Sequence, residues 1–412
     1  MVVGVGLKTE SFSEIKESLA ELEDLVAAWG GEIVANVVQI VQSYNSATLM
    51  GTGKVKEIQQ LIEESGADVV VVDHPLSGVQ GRNLQTDWNV TVMDRNQIVV
   101  DIFAKRAKTY EGKLQVELAQ MLDQLPRMIG AWMGSLSRQG GGIGTRGPGE
   151  TALENDRRRI RDRVKSIRKQ LEGVRKHRQQ HRQLRKRLKI PTFALIGYTN
   201  SGKSTLLNQL TNSTVEVRDQ VFATLDPTTR KVKLPESAGA LVTDTVGFIR
   251  KLPAHLIEAF KATLEESAEA DVLLHVIDLS SPSMEHQIAV VEDLIRELGW
   301  DKKPIIFVFN KTDKAPLDRQ FQVKAFPRVF VSALTGEGVD KLRRQMTVAS
   351  QALNEEVELY FPKQEEHLIY ELGRDSHISK TEAGSTGTIC YASLTPSQMS
   401  RWSEFMVQNK KY

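Results

Sequence analysis

The feature that most constrains the fold is the stretch FALIGYTNSGKST, residues 193–205, in which an apolar run leads into a glycine-containing loop. From Gly197 to Ser204 the stretch matches the spacing Gly-x4-Gly-Lys-Ser of a phosphate-binding loop. Such a loop points backbone N–H groups at phosphate oxygens, at the positive end of the following helix. The stretch therefore predicts a strand, a loop and a helix, and hence an α/β domain that binds a nucleotide.

The polar residues of this loop have distinct predicted roles. The Lys203 ammonium would reach the outer phosphates and stabilise charge during catalysis, and the Ser204 hydroxyl would bind Mg²⁺. The residues predicted to contact the nucleotide are Gly197, Tyr198, Thr199, Asn200, Ser201, Gly202, Lys203, Ser204 and Thr205.

A second motif, LVTDTVGF (241–248), is an apolar strand that ends in Asp-x-x-Gly. Asp244 would hold the Mg²⁺ through water, and the Gly247 N–H would contact a terminal phosphate. Gly247 is therefore a second catalytic candidate, and Thr245 and Val246 are assigned to the same nucleotide site.

The segment FATLDPTTR (222–230), between these motifs, contains threonines in a predicted loop. One threonine should complete the metal shell, and the spacing alone allows Thr224 or Thr228. The residues of this loop assigned to the nucleotide are Phe222, Ala223, Thr224, Leu225 and Asp226.

The apolar strand in IIFVFNKTD (305–313) ends in Asn-Lys-x-Asp, a motif that would select the base. The Asp313 carboxylate can accept hydrogen bonds from the N1–H and the N2 amino group of guanine. Adenine has no such pair of donors on that edge, so the motif predicts guanine. Asn310 would steady the base, Lys311 would lie over the ring, and Thr312 is included in the site.

Two further strands complete the pattern, DVLLHVID (271–278) and the strand within VFVSALTGEG (329–338). The second ends in Ser332, Ala333 and Leu334, which are also assigned to the nucleotide. Five strand ends that carry these residues in this order predict a P-loop GTPase domain with a mostly parallel sheet over residues 191–355.

Residues 1–110 alternate between strand and helix patterns, which predicts a small N-terminal α/β domain. Ser11 and Glu14 form a capping box for a helix that ends at Gly30. The segment GTGK (51–54) lacks the full phosphate-loop spacing and predicts a tight turn before a helix.

Residues 111–190 contain two apolar seams at heptad-like spacing, which predict a long antiparallel helical hairpin. The seams are Leu114, Leu118, Met121, Leu125, Met128 and Trp132, then Ile160, Val164, Ile167, Leu171, Val174, His177, His181, Leu184 and Leu188. Between them, six of the ten residues from 140 to 149 are glycine, which predicts a mobile tip.

The second hairpin helix is strongly cationic. Its residues 157–189 include sixteen Lys or Arg and two acids, a net charge of +14, so the remainder of the chain carries −12. This asymmetry favours a polyanionic partner. The predicted RNA contacts are Arg138, Arg146, Arg157, Arg158, Arg159 and Arg161. In the alternative interpretation the charges only keep a coiled coil in solution, and the glycines form a plain linker.

Composition and length set the remaining expectations. Forty per cent hydrophobic residues in 412 exclude wholesale disorder, and the single cysteine, Cys390, excludes an internal disulfide framework. With no secretory signal pattern and no apolar stretch of about 18 residues, we expect a cytoplasmic protein without a membrane span. We also expect a monomer when the protein is free.

Residues 356–412 predict a small C-terminal α+β domain. EEHLIYELG reads as a helix, TGTICYASL as a strand, and TPSQMSRWSEFM as a helix capped by Thr395. Trp402 and Phe405 are expected in its core.

The GTPase motifs, together with KTYEGKLQVELAQ (108–120), SRQGGGIGTRGPGE (137–150) and TALENDRRRI (151–160), resemble the HflX family over residues 40–350. The resemblance implies that Thr224 is the metal-linked switch threonine, beside Ser204 and Asp244, and a catalytic candidate. It also implies hydrolysis of GTP, with ATP in some members, and binding to the large ribosomal subunit and its RNA. Family members separate stalled or idle ribosomes into subunits under stress.

One position departs from many small GTPases, which place a water-orienting glutamine after Asp-x-x-Gly. Phe248 stands there and has no hydrogen-bonding group, which is typical of the HflX branch and predicts slow hydrolysis by the free protein. No general base is assigned. Two other functions stay open: a signalling switch that acts on a protein partner, and an ATP-driven RNA remodeller. The second lacks a second complete phosphate loop in the sequence.

Overall fold

A computed structural model of the chain describes residues 1–136, 148–188, 190–211, 222, 228–235, 239–250, 264, 267–353, 355–394 and 396–407. The described residues form three separate β-sheets and one long helical hairpin. Among them, no helix is both long and apolar enough to span a membrane.

The N-terminal part is a four-stranded sheet in the order β2-β1-β3-β4, in which all pairs are parallel. Its strands are β1 (Val2–Leu7), β2 (Asn36–Val41), β3 (Val69–Val72) and β4 (Thr91–Asp94). Its helices are α1 (Phe12–Trp29), α2 (Thr52–Ser65), α3 (Gly78–Trp88) and α4 (Arg95–Arg106). Each parallel pair needs a crossover, and a helix supplies it.

The predicted caps of α1 are confirmed. Ser11 and Glu14 form a reciprocal capping box, and Gly30 ends the helix in the left-handed region at φ 99°. The helix predicted after the tight turn at 51–54 is confirmed, but it begins earlier, at Thr52, with Gly51 as its N-cap. A glycine at that position starts a helix as well as it makes a turn.

The hairpin consists of α5 (Tyr110–Leu136) and α6 (Pro148–Leu188). The second helix begins twelve residues before the seam at Ile160, so Pro148 and Gly149 belong to a helix and not to the glycine tip. Proline is favoured at the first helical position, where its missing N–H has no partner to lose. The rest of the predicted tip lies outside the described residues.

The hairpin seam is buried near its base, where it joins the N-terminal core. Leu114 and Leu118 of α5 and Val164 and Ile167 of α6 pack in one cluster with Phe103 of α4. Side chains of the seam beyond residue 127 in α5 and 176 in α6 are outside the description. The division at residue 110 therefore stays a prediction, since one core spans it.

The central sheet has six strands in the order β10-β9-β8-β5-β7-β6. They are β5 (Thr192–Ile196), β6 (Thr228–Val232), β7 (Ala240–Asp244), β8 (Val272–Asp278), β9 (Ile305–Asn310) and β10 (Arg328–Phe330). Its described helices are α7 (Lys203–Thr211), α8 (Met284–Glu297), α9 (Arg319–Gln322) and α10 (Val339–Ala352). All pairs are parallel except β6 with β7, which confirms the mostly parallel P-loop architecture.

One element of this sheet differs from the prediction. The sequence predicts a loop for the threonines of 222–230, but Thr228 opens strand β6 and lies opposite Asp244 of β7. Strand β6 is an antiparallel edge strand whose residues alternate in exposure. Its five residues follow a proline, and so short a segment does not predict a strand by its sequence alone.

The C-terminal part is an antiparallel sheet in the order β11-β13-β12 with short helices, which confirms an α+β unit. The elements are β11 (Glu355–Pro362), β12 (His377–Ala383), β13 (Gly387–Leu394), α11 (Leu368–Asp375) and α12 (Pro396–Arg401), with 3-10 turns at Lys363–Glu365 and Ser403–Phe405. Trp402 is buried as predicted, whereas Phe405 is half-buried, with its ring stacked on Phe361. Thr395 lies outside the described residues.

Candidate nucleotide site

The phosphate loop spans the six residues between the end of β5 and the start of α7. Gly197, Asn200 and Gly202 have positive φ values of 150°, 58° and 90°. A Cβ at Gly197 would lie 2.2 Å from Val276 O, and a Cβ at Gly202 would lie 2.2 Å from Asn310 Nδ2. Both glycines of the motif are therefore required by backbone conformation and by close approach.

Lys203 is the charged centre of this loop. Its side chain is buried, and its Nζ donates to the carbonyl oxygens of Gly197 at 3.1 Å and Tyr198 at 2.7 Å. The pKa of the Lys203 ammonium is lowered to about 8, mainly by burial and also by Lys311, while Asp244 opposes the shift. A desolvated ammonium of this kind gains strongly from an approaching anion.

Ser204 and Asp244 meet at the edge of the loop, as a shared metal site requires. The Ser204 hydroxyl donates to Asp244 Oδ2 at 2.6 Å. Hydroxyl and carboxylate oxygens are ligands of the kind that Mg²⁺ takes, so this donor set fits the ion. Thr245, next in sequence, instead donates its hydroxyl to Leu195 O at 2.6 Å and ties β7 to β5.

Gly247 lies against the phosphate loop. A Cβ there would be 2.9 Å from both Lys203 Nζ and Thr199 Cα. The next residue forms a backbone bridge to the loop, because the Thr199 N–H donates to Phe248 O at 2.8 Å and the Phe248 N–H donates to Gly197 O at 3.1 Å. The terminal end of the Asp-x-x-Gly motif is thus held beside the lysine.

The Phe248 side chain is buried in the core. It is 2% exposed and packs in a core cluster with Tyr198, Leu264 and Leu273. The position that carries a water-orienting glutamine in many GTPases is therefore occupied by an apolar ring that belongs to the core.

The predicted base site is assembled from three strand ends. Asn310 Nδ2 donates to Ser201 O, and Asn310 Oδ1 accepts from the Ala333 N–H, both at 2.9 Å. The Asp313 carboxylate is exposed and accepts a hydrogen bond of 2.5 Å from Ser332 Oγ. One asparagine therefore joins the phosphate loop to the last strand.

Lys311 is held in place beside this site. It has a φ of 63°, and its Nζ lies 2.8 Å from Asp278 Oδ2 at the end of β8. The neighbouring Leu334 is 70% exposed, which leaves this side of the site open to a base.

Some predicted residues are not brought to the site. The Phe222 ring is buried against Phe103 of α4, 4.4 Å between centroids, so its side chain is not available to a nucleotide. Thr228 lies in β6. The residues Ala223, Thr224, Leu225, Asp226, Arg138 and Arg146 lie outside the described part of the chain.

Three of the predicted RNA-binding arginines have acidic neighbours on α6. Arg157 and Arg161 lie 3.3 and 3.5 Å from Glu154, and Arg159 lies 3.5 Å from Asp156. Both acids precede residue 157 and so lie just outside the segment that carries +14. Exposed pairs contribute little, and the side chains of Arg159 and Arg161 are 83% and 54% exposed, so these two stay accessible to an anion, whereas that of Arg157 is only 25% exposed.

The sequence did not predict the contact between this site and helix α1. Tyr198 and Arg250 bind Glu21 and Glu17 on that helix. The available signal was the spacing of Glu14, Glu17 and Glu21, which places three acids on one helix face.

Comparisons with known proteins agree with this geometry. Three family models match: "GTP-binding GTPase N-terminal" over residues 16–104, "GTP-binding GTPase Middle Region" over 106–185, and "50S ribosome-binding GTPase" over 192–311. The boundary between the first two falls where α4 gives way to α5.

Curated relatives cover most of the chain. A GTPase HflX of Caldanaerobacter subterraneus subsp. tengcongensis is 48% identical over 81% of this chain and 77% of that protein. A GTPase HflX of Lacrimispora saccharolytica is 49% identical over 83% of this chain and 81% of its own. A GTPase HflX of Magnetococcus marinus is 41% identical over 93% and 89%.

Proposed function

The chain belongs to the HflX family of GTPases and hydrolyses GTP, and on that premise we propose that it binds the large ribosomal subunit through its cationic hairpin. The observation that carries this proposal is the charge of helix α6, which has fifteen Lys or Arg and two acids over residues 157–188. Double-helical RNA offers the phosphate density that such a surface matches. In this role the protein would split stalled or idle ribosomes under stress.

The nucleotide roles follow from the contacts at the phosphate loop. Lys203 and the Gly247 N–H would face the outer phosphates, and Asp313 would accept from guanine while Asn310 holds the two loops together. Ser204, Thr224 and, through water, Asp244 would hold Mg²⁺. When bound, Mg²⁺ neutralises charge on the β- and γ-phosphate oxygens.

Hydrolysis would time the cycle on the ribosome. The γ-phosphate would order the segments around Thr224 and Gly247, and its loss would release them and weaken the hold on RNA. The buried ring of Phe248 offers no group to orient water, so the free protein would turn over slowly.

Sedimentation with purified large subunits tests the binding proposal. We expect co-sedimentation with a slowly hydrolysed GTP analogue and release with GDP. Replacing Arg157, Arg158 and Arg161 by glutamine should reduce the salt slope of log K by about one for each phosphate that the arginines no longer neutralise. The matched control is Arg296→Gln, an exposed arginine paired with Asp293 on α8.

The result also separates the alternatives. Binding that is insensitive to salt and to the arginine replacements would contradict the RNA contact and favour a switch that acts on a protein partner. ATP-dependent RNA remodelling has less support, since GTGK (51–54) is the cap and first turn of α2. The cytoplasmic location and the monomeric state stay predictions.

A further inference from the structure

Tyr198, the second residue of the phosphate loop, connects three parts of the molecule through one hydroxyl group. The ring is buried in the core cluster that contains Phe248. Its hydroxyl donates to Glu21 Oε1 of α1 at 2.7 Å and accepts the Arg250 N–H at 2.9 Å. The backbone carbonyl of the same residue accepts from Lys203 Nζ at 2.7 Å.

Glu21 is held rigidly on the N-terminal side of this contact. Its Oε2 lies 2.8 Å from Nη2 of Arg95, a fully buried arginine at the start of α4. The other side of that guanidinium contacts Asp73 Oδ1 at 2.7 Å, and Asp73 also accepts from Ser18 Oγ. The Glu21 carboxylate, 12% exposed in its side chain and held by the buried Arg95, presents its second oxygen to Tyr198.

The segment that follows Gly247 is bound at two points by this arrangement. Phe248 is bridged to the phosphate loop through backbone hydrogen bonds, and the Arg250 N–H is bound by the Tyr198 hydroxyl. The Arg250 guanidinium lies 3.1 Å from Glu17 Oε2, a second contact with α1. The position of residues 247–250 therefore depends on Glu17 and Glu21 of α1, more than 225 residues earlier in the chain.

The phenol stays a donor throughout the working pH range. Burial, together with Glu21, raises the pKa of the Tyr198 hydroxyl well above its usual range. It therefore keeps the proton that it donates to Glu21, while its lone pair receives the Arg250 N–H.

We propose that Tyr198 is a positioning residue for GTP hydrolysis, in which Glu21 orients the phenol and the phenol holds residues 247–250 so that the Gly247 N–H faces the terminal phosphate. The position of Gly247 is closely constrained, because a Cβ added there would lie 2.9 Å from both Lys203 Nζ and Thr199 Cα. The inference concerns the hydrolysis step of the isolated protein and does not depend on ribosome binding.

The test uses the full-length protein and measures single-turnover GTP hydrolysis beside the affinity for GDP and the melting temperature. Tyr198→Phe removes one oxygen and keeps the ring in the core. We expect a rate constant reduced about three- to tenfold, the equivalent of one net hydrogen bond, with GDP affinity within about twofold of wild type. The matched control, Tyr110→Phe, removes a phenol that donates to Gln170 on the hairpin, and should leave the rate unchanged.

Two further variants probe the same contact from the N-terminal side, away from the nucleotide. Glu21→Ala removes the acceptor and should slow hydrolysis as Tyr198→Phe does. Glu21→Gln keeps an acceptor oxygen and should restore most of the rate. If Tyr198→Phe fails to fold, this pair decides the question.

Three results would overturn the proposal. The first is a Tyr198→Phe rate indistinguishable from that of Tyr110→Phe. The second is a rate loss accompanied by an equal loss of GDP affinity, since the hydroxyl would then act on binding. The third is a Glu21→Gln protein as slow as Glu21→Ala, since the charge facing Arg95, not the hydrogen bond, would then matter.

Discussion

At the scale of single residues, the nucleotide site is organised by side chains that bind protein backbone. Asn310 connects Ser201 O to the Ala333 N–H, and Ser332 binds the Asp313 carboxylate. The Ser332 hydrogen bond orients the Asp313 carboxylate, and such pre-orientation of the proposed base contact would reduce the entropy cost of binding. A single substitution at Asp313 should therefore change which base the site selects.

We expect Asp313→Asn to lower the affinity for GDP by about 30- to 100-fold, because an amide replaces a charged acceptor of two hydrogen bonds. The same amide presents one donor and one acceptor, which suits xanthine, so affinity for xanthosine diphosphate should rise. Equilibrium titration with fluorescent GDP and competing nucleotides measures both. Asp318→Asn, an exposed aspartate five residues later, is the control; an equal loss there would contradict the assignment.

His275 gives a second expectation at this scale. Its ring is buried in β8 beside Phe307, and its pKa is lowered to about 3, mainly by burial and also by Lys203. The unfolded chain takes up this proton near pH 6.5 while the folded protein does not, so His275 destabilises the fold as pH falls. Between pH 6.5 and 5.5 its share of the loss should be about 1 kcal/mol of unfolding free energy.

Urea titrations of wild type and His275→Leu across this pH interval measure that share. The leucine variant should show the shallower dependence of unfolding free energy on pH, whatever its stability at pH 7. Parallel curves for the two proteins would mean that His275 is not the group that titrates.

At the scale of elements, local signals predicted the helices better than the edge strands. The capping box at Ser11 and the left-handed Gly30 can be predicted from the sequence, because a cap is made by residues within one turn. Strands β6 and β12 depend on pairing with β7 and β13, and such pairing is not visible in a short window. The phosphate loop was predictable for the same reason as the caps.

The packing of α3 on α5 was not predictable from the sequence, and two glycines in α3 show why. A Cβ at Gly78 would lie 2.3 Å from Arg127 O, whereas a Cβ at Gly81 meets nothing within 4 Å. The two residues look alike in sequence, and only the neighbouring helix distinguishes them.

We therefore expect Gly78→Ala to destabilise the N-terminal unit by about 1–3 kcal/mol, as overpacking does. Gly81→Ala in the same helix should be neutral or stabilising by up to about 1 kcal/mol, because alanine favours a helix over glycine. Thermal and denaturant unfolding of the two variants compare them directly. Equal effects would show that α3 and α5 do not pack as closely as the structure has it.

At the scale of the whole molecule, one hydrophobic core joins the N-terminal sheet, the base of the hairpin and the nucleotide domain. Val246 and Ile249, on either side of Gly247 and Phe248, share this core with Phe103, Val164 and other residues of both N-terminal parts. Residues next to the predicted phosphate contacts thus share a hydrophobic core with the base of the hairpin proposed to bind RNA. Binding of RNA to the hairpin should consequently affect the nucleotide site, and binding of nucleotide should affect the hairpin.

We expect purified large subunits to raise the GTP turnover rate by more than about tenfold over that of the free protein. Docking should order the hydrolysis site, whereas the Phe248 side chain has no group that orients the attacking water. Steady-state phosphate release with and without subunits measures this. Small subunits serve as the control for RNA in general, and equal rates with and without large subunits would contradict the expectation.

Helix α6 runs unbroken for 41 residues, from Pro148 to Leu188, and strand β5 begins only at Thr192. At about 1.5 Å per residue the helix is about 60 Å long, and Val164 and Ile167, near its middle, pack in the core shared with Val246 and Ile249. A rotation of about 5° about that core would move the start of the helix at Pro148, about 24 Å away, by about 2 Å. We therefore expect a change at the nucleotide site to reach the proposed RNA-binding end of the helix as a displacement of this size.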